Sequence, residues 1–180
     1  MAEVTREDLA LLLTEARRLT SHRQYVIIGS LSILGSVTRP PARMVASQDV
    51  DLYPLLDPGR ASEIAAHLGQ STPFDRDHGF YADAVSPYLA TLPDGWQSRL
   101  VSISWPEGIV ALCLEPHDAA VSKYARGEDR DREWIRAGLD AGILDIGIIE
   151  ARTRSVVVEV EERERMVRGL GEDRVYLGGK

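Results

Sequence analysis

Asp49 and Asp51 form the motif with the most distinctive chemistry in the sequence. They flank Val50 in a segment, 49–56, that alternates between polar and apolar residues at its start, a pattern typical of a strand with one solvent-facing side. In a strand the two carboxylates share a face, with Cα atoms about 6.7 Å apart. At an effective dielectric constant of about 20, their charges repel by roughly 2.5 kcal/mol. A Mg²⁺ ion would remove this repulsion, and a hydrated strand face is the simpler alternative.

A second feature lies upstream, where an apolar strand segment, 24–28, runs into Gly29 and Ser30. A short helix, 31–34, is predicted directly after this turn and ends at Gly35. Glycine lets the backbone approach a ligand closely, and the serine hydroxyl lies beside the free N–H groups that begin a helix. Gly-Ser turns are common without a ligand, but an Asp-x-Asp strand downstream favours a phosphate-binding interpretation.

The two features together resemble the signature of the nucleotidyltransferase superfamily that includes DNA polymerase β. That signature is a strand, a Gly-Ser or Gly-Gly turn, a short helix, and a strand with Asp-x-Asp between apolar residues. The resemblance implies an α/β (α+β) fold, a mixed sheet with flanking helices, and Mg²⁺ as a cofactor bound by Asp49 and Asp51. It also implies that Gly29 and Ser30 contact the β- and γ-phosphates of a nucleoside triphosphate.

Polymerising and adenylylating members of this superfamily often carry a third carboxylate on a later strand, where it serves as general base. The best match is Asp83, in a predicted strand over 79–85. An ordinary loop acid is the alternative interpretation of Asp83. The weaker candidates for the third carboxylate are Asp77, Asp94 and Glu107.

A segment further along the chain resembles one particular group within this superfamily. Residues 117–126, followed by 129–131, are similar to a segment of small bacterial nucleotidyltransferases of the abortive-infection toxin type. The resemblance implies that Lys123 binds the triphosphate and that Asp131 is a later acidic position of the nucleotide site. Arg130 stands where that group more usually has lysine. The residues alone also allow a solvent-exposed Lys123 and an Asp131 that caps a helix.

The rest of the pattern predicts the elements that must position these residues. The spacing of apolar residues predicts helices over 5–19, 61–68, 118–126, 128–140 and 160–170. Two β-branched runs around the turn at 106–108 predict a hairpin. We therefore expect a nucleotidyltransferase-like α/β core over residues 1–115 and a helical C-terminal part over 116–180, packed as one compact unit.

The composition of the 180-residue chain excludes several classes of protein. A formal net charge of −7 gives no general affinity for polyanions, so any nucleic-acid contact must be confined to a local patch. The single cysteine, Cys113, excludes an internal disulfide framework. The acidic start predicts no signal peptide, and no apolar stretch approaches the ~20 residues of a membrane span. We expect a cytoplasmic protein without membrane contact.

The resemblance therefore implies a metal-dependent enzyme that transfers a nucleoside monophosphate to a hydroxyl of RNA or protein and releases pyrophosphate. The resemblance adds a toxin-like role with a cognate antitoxin as partner, and it leaves a homodimer open. One alternative is a catalytically silent protein of the same fold that senses a nucleotide or pairs with a toxin or antitoxin. Another is a structural α/β domain that binds no nucleotide.

Overall fold

A computed structural model describes residues 3–179, in which five strands form one mixed sheet. The strands are β1 (Gln24–Ile27), β2 (Asp49–Pro54), β3 (Tyr81–Ala84), β4 (Val101–Trp105) and β5 (Ile109–Cys113). Their order across the sheet is β3-β2-β1-β5-β4. The central β1 pairs antiparallel with β2 and parallel with β5, while β2–β3 is parallel and β4–β5 antiparallel. The predicted mixed sheet and its hairpin are confirmed.

Helices flank the sheet and make up most of the C-terminal part. The α-helices are α1 (Arg6–Thr20), α2 (Ala61–Leu68), α3 (Pro73–His78), α4 (Pro116–Arg126), α5 (Asp129–Asp140), α6 (Ile146–Thr153) and α7 (Val160–Gly178). The sequence pattern missed α3 and α6, which are too short to show clear periodicity, and it ended α7 eight residues early. The short helix after Gly29 is a 3-10 helix, Ser30–Gly35. Within residues 3–179, the helices lack the combination of length and apolar character needed to cross a membrane.

The helix α1 covers one face of the sheet. A capping box at its start fixes where it begins, and its buried side includes Leu9, Leu12 and Leu13, all without solvent exposure. At its end, Thr20 Oγ1 lies 3.1 Å from the hydroxyl of Tyr25 in β1. Tyr25 therefore faces α1, and alternate residues of β1 do the same.

The second face of the sheet carries the acidic motif. Val26, the neighbour of Tyr25, points away from α1, and its partner in the β1–β2 pair is Tyr53. Asp51 and Asp49 lie two and four residues before Tyr53 on the same strand, so they share its face. The fold thus places both carboxylates on the side of the sheet opposite α1.

A buried ion network attaches the C-terminal helices to the hairpin. Asp118 of α4 has no solvent exposure and accepts hydrogen bonds from Arg99 Nε (2.8 Å) and Nη2 (3.0 Å), just before β4. It also accepts one from Arg152 Nη1 of α6 at 2.9 Å. Glu115 caps the start of α4 and pairs with both Arg152 and His117. Because an unpaired buried charge is costly, these partners hold the two parts of the chain together.

The ion pairs of Glu115 make part of the folding free energy pH-dependent. Burial raises the pKa of Glu115, but hydrogen bonds from His117 and Arg152 outweigh this effect and lower the pKa to about 2. A carboxylate whose pKa is lower in the folded state stabilises the protein above its unfolded-state pKa and loses this contribution as the pH falls. At about pH 7 we expect Glu115→Gln to reduce the free energy of unfolding by about 1–2 kcal/mol, allowing for solvent screening.

Urea denaturation at a series of pH values measures this contribution. The difference between wild type and Glu115→Gln should shrink as the pH falls from about 5 to about 3. Glu161→Gln, which removes an exposed carboxylate of α7, is the matched control and should leave a small, constant difference. A Glu115→Gln difference of equal size at neutral and acidic pH would contradict the prediction.

Candidate active site

Three carboxylates converge where β2 and β3 lie side by side. Asp51 stands opposite Asp83 in the parallel pair, and Asp49 stands opposite Tyr81. Because side chains alternate along each strand, Asp49, Asp51 and Asp83 share the sheet face that points away from α1. One oxygen atom from each of the three lies within 4.8 Å of the others. The structure therefore places the sequence candidate Asp83 beside the Asp-x-Asp pair.

The other acidic candidates lie elsewhere in the fold. Asp77 is an exposed residue of α3. Asp94 lies before β4, where its backbone carbonyl accepts a hydrogen bond from Arg99. Glu107 lies in the turn between β4 and β5 and forms an ion pair with Arg17 of α1. Of the four candidates for a third carboxylate, Asp83 alone joins the cluster described above.

Asp51 and Asp83 have pKa values that their surroundings shift. Burial, followed by the charges of Asp49 and Asp83, raises the pKa of Asp51 to about 7. Burial and the charge of Asp49 also raise the pKa of Asp83. A divalent cation held by Asp49, Asp51 and Asp83 would offset this repulsion, and carboxylate oxygens are ligands that Mg²⁺ binds. The donor set therefore fits a hard divalent cation.

The turn after β1 packs directly against this cluster. Gly29 has a backbone φ of +71°, in the region that favours glycine. A Cβ atom at this position would lie 1.9 Å from Asp51 Oδ2. Glycine is therefore required both by the backbone conformation and by the close approach of the turn to Asp51.

Lys123 connects this turn to the C-terminal helices. Its Nζ donates hydrogen bonds to Ser30 Oγ at 2.8 Å and to Asp131 Oδ1 at 3.2 Å. It also lies 4.9 Å from the centre of the Trp134 ring, within the range of a cation–π interaction. The side chain is only 4% exposed, so the solvent-exposed alternative for Lys123 is wrong.

Asp131 is the buried partner of two basic residues. Besides the hydrogen bond from Lys123, the Asp131 carboxylate accepts hydrogen bonds from Arg126 Nε (2.8 Å) and Nη2 (2.5 Å). It also accepts the backbone N–H of Glu128, as expected for a carboxylate that caps α5. The neighbouring Arg130 is exposed and pairs with Glu128 at 2.6 Å. The contacts of Asp131 therefore orient Lys123 and Arg126 beside the turn.

Sequence reasoning missed two residues of the site, Trp134 and Arg126. The indole N–H of Trp134 donates to the backbone carbonyls of Ser30 (3.3 Å) and Met44 (3.1 Å), which fixes the turn against α5. Arg126 follows Lys123 by three residues, the spacing at which neighbouring side chains meet on a helix. That spacing was a usable signal for Arg126, whereas the role of Trp134 depends on tertiary packing.

Two cavities flank the Gly29–Ser30 turn. One of about 370 Å³ lies between the sheet and helices α4 and α7, and its lining includes Gly29, Asp51, Lys123 and Arg126. The other, of about 260 Å³, includes Ser30, Asp49, Tyr81 and Trp134 in its lining. The turn is thus bordered on both sides by open space, with Asp51 in the lining of the first cavity and Asp49 in that of the second.

The comparisons with known proteins agree with this geometry. Residues 7–170 match the family described as "Nucleotidyltransferase of unknown function (DUF6036)". No curated protein and no solved structure gives a significant match to the chain. The matched range contains every residue of the candidate site and covers most of the chain. The protein therefore belongs to this family of nucleotidyltransferases, which confirms the superfamily that its sequence resembles.

Proposed function

We propose that the protein is a Mg²⁺-dependent nucleotidyltransferase that transfers a nucleoside monophosphate from a nucleoside triphosphate to a hydroxyl acceptor. The observation that carries this proposal is the carboxylate cluster of Asp49, Asp51 and Asp83 beside the Gly29–Ser30 turn. Family membership supports the transferase class independently of that geometry.

Asp49 and Asp51 are the metal ligands of the proposed enzyme. When bound, Mg²⁺ supplies charge neutralisation and orientation for the triphosphate oxygens. The hydroxyl of Ser47 donates a hydrogen bond to Asp49 and limits the rotation of its carboxylate. Asp51 is fixed by its contact with Gly29 and by its position between two paired strands. The two ligands are thus held in place by the protein before a substrate arrives.

The turn after β1 binds phosphate oxygens. The Ser30 hydroxyl oxygen accepts an N–H from Lys123, so its own proton is free to donate to a β- or γ-phosphate. The positive charge of Lys123 strengthens that donor. Asp131 contributes by holding Lys123 in position.

The reaction is an in-line displacement at the α-phosphorus. The acceptor oxygen bonds to this phosphorus while the bond to the bridging oxygen breaks, so pyrophosphate leaves with the electron pair. Asp83 takes the proton of the acceptor hydroxyl. Asp83 is exposed, so an acceptor hydroxyl can reach its carboxylate.

The acceptor in this proposal is RNA or protein, as in the toxin-type enzymes that the sequence resembles. The net charge of −7 disfavours extended contact with an RNA backbone and so favours a local contact at the site. A toxin-like role requires a cognate antitoxin, and covering the exposed Asp83 is one way in which such a partner would block transfer.

The substitution Asp51→Asn tests the proposed reaction. It removes the charge of a metal ligand, and we expect nucleotide transfer to fall at least about a hundredfold. The assay incubates the protein and Mg²⁺ with each ribonucleoside triphosphate, labelled at the α-phosphate, and with cellular RNA or protein. Label in either fraction, together with released pyrophosphate, measures the transfer and identifies the acceptor class.

Asp77→Asn is the matched control, because it neutralises an exposed aspartate of α3 outside the cluster. It should retain wild-type transfer. Equal nucleotide transfer by wild type and Asp51→Asn would contradict the proposal. A wild-type protein that binds triphosphate but releases no pyrophosphate would instead support the catalytically silent alternative.

Gly29→Ala tests the packing of the turn on the carboxylate cluster. The added Cβ must displace Asp51, so we expect Mn²⁺ affinity, measured by calorimetry, to fall at least about tenfold. Gly142→Ala is the control, because φ is +66° there and a Cβ would meet nothing within 4 Å. Gly142→Ala should lose about 1–2 kcal/mol of stability from the positive φ alone. Gly29→Ala should lose more, because its backbone (φ +71°, ψ −159°) lies in a region that essentially only glycine adopts and its Cβ meets Asp51. Similar Mn²⁺ affinities for the two variants would argue against this account.

A further inference from the structure

The donors of Lys123 are already used inside the protein. An ammonium group has three N–H bonds, and the groups around this one are the Ser30 hydroxyl, the Asp131 carboxylate and the Trp134 ring. The side chain is almost wholly buried beneath the turn. A phosphate would have to displace one of these partners before it could contact Lys123 directly.

Arg126, in contrast to Lys123, is partly exposed and has a nitrogen that the described part of the protein does not use. Its side chain is 44% exposed, and it lines the larger cavity together with Gly29 and Asp51. Two of its nitrogens, Nε and Nη2, donate to Asp131. Within residues 3–179, Nη1 makes no hydrogen bond, so this end of the guanidinium is available to a ligand.

We propose that Arg126 is the residue that contacts the triphosphate in the larger cavity, while Lys123 and Asp131 are positioning residues. This inference rests on the proposed function, since it takes the ligand to be a nucleoside triphosphate. It also revises the role that the family resemblance implies for Lys123.

The chemistry of the three side chains supports this division of roles. A guanidinium is planar and permanently charged, and it can bind a carboxylate along one edge while presenting other N–H groups to a phosphate. Asp131 fixes the first edge and so aims the free end of Arg126 into the cavity that Asp51 lines. Lys123 fixes the Ser30 hydroxyl on the other side of the same carboxylate. One buried aspartate thus orients both phosphate-binding groups.

Arg126→Gln tests the assignment by calorimetry, with inorganic tripolyphosphate and Mg²⁺ as the probe. Loss of a charge-assisted contact should raise the dissociation constant about tenfold to a hundredfold. Arg174→Gln is the matched control, because it removes an arginine that pairs with Glu150 through two nitrogens on the surface. That control should bind tripolyphosphate with wild-type affinity.

Mn²⁺ binding without phosphate separates a lost contact from a collapsed site. Arg126→Gln should retain at least wild-type Mn²⁺ affinity, because the carboxylate cluster is intact and a nearby positive charge has been removed. Wild-type affinity for tripolyphosphate in Arg126→Gln, or a parallel loss of Mn²⁺ and tripolyphosphate affinity, would overturn the assignment. Absence of tripolyphosphate binding by the wild type would overturn it as well.

A double-mutant cycle tests the positioning role of Asp131. Asp131→Asn should weaken tripolyphosphate binding, and it should cause a smaller loss in the Arg126→Gln background than alone, because the Arg126 contact is already absent there and only the orientation of Ser30 through Lys123 is still lost. Additive losses would contradict the positioning role. These readouts do not need catalysis, so Arg126-dependent binding without nucleotide transfer would contradict the proposed function and leave this inference standing.

Discussion

The buried ammonium group of Lys123 is the interaction on which the arrangement of the candidate site depends. It joins Ser30, in the turn after β1, to Asp131, at the start of a helix about a hundred residues later. A charge with so little exposure is stable only when its partners stay in place. The helices α4 and α5 and the turn after β1 must therefore keep one relative arrangement. The indole N–H of Trp134, in α5, also donates a hydrogen bond to the backbone of this turn.

The carboxylate cluster destabilises the folded site, because Asp49, Asp51 and Asp83 repel one another on one sheet face. The strands that carry them are held by their apolar neighbours: Val50 and Leu52 on the other side of β2 have no solvent exposure. The favourable burial of these residues offsets an unfavourable concentration of charge. Arg126 and Lys123 relieve part of that charge, since both lower the pKa of Asp51. The site thus combines local electrostatic strain with a rigid support.

The sequence predicted those features that depend on local periodicity. Alternation along β2 placed Asp49 and Asp51 on one face, and the apolar runs predicted the sheet and its hairpin. Asp83 was chosen from four acids through a resemblance, but its register opposite Asp51 depends on strand pairing that no local pattern encodes. The burial of Lys123 could not be predicted from the local sequence either, because its partners Ser30 and Trp134 lie on other elements. Short helices such as α6 bury too few residues to leave a periodic signal.

The spread of the site along the chain affects when it can form. Its groups come from the turn after β1, from β2 and β3, and from two helices that follow the hairpin, so that residues from 29 to 134 must all be in place. During synthesis on a ribosome, all five strands emerge before Lys123 and Trp134, the partners of Ser30. Contacts between residues so distant in sequence are also slow to form during folding. An incomplete chain therefore displays the acidic strands without the basic groups that would bind phosphate, and binding competence arises only after the late helices have packed.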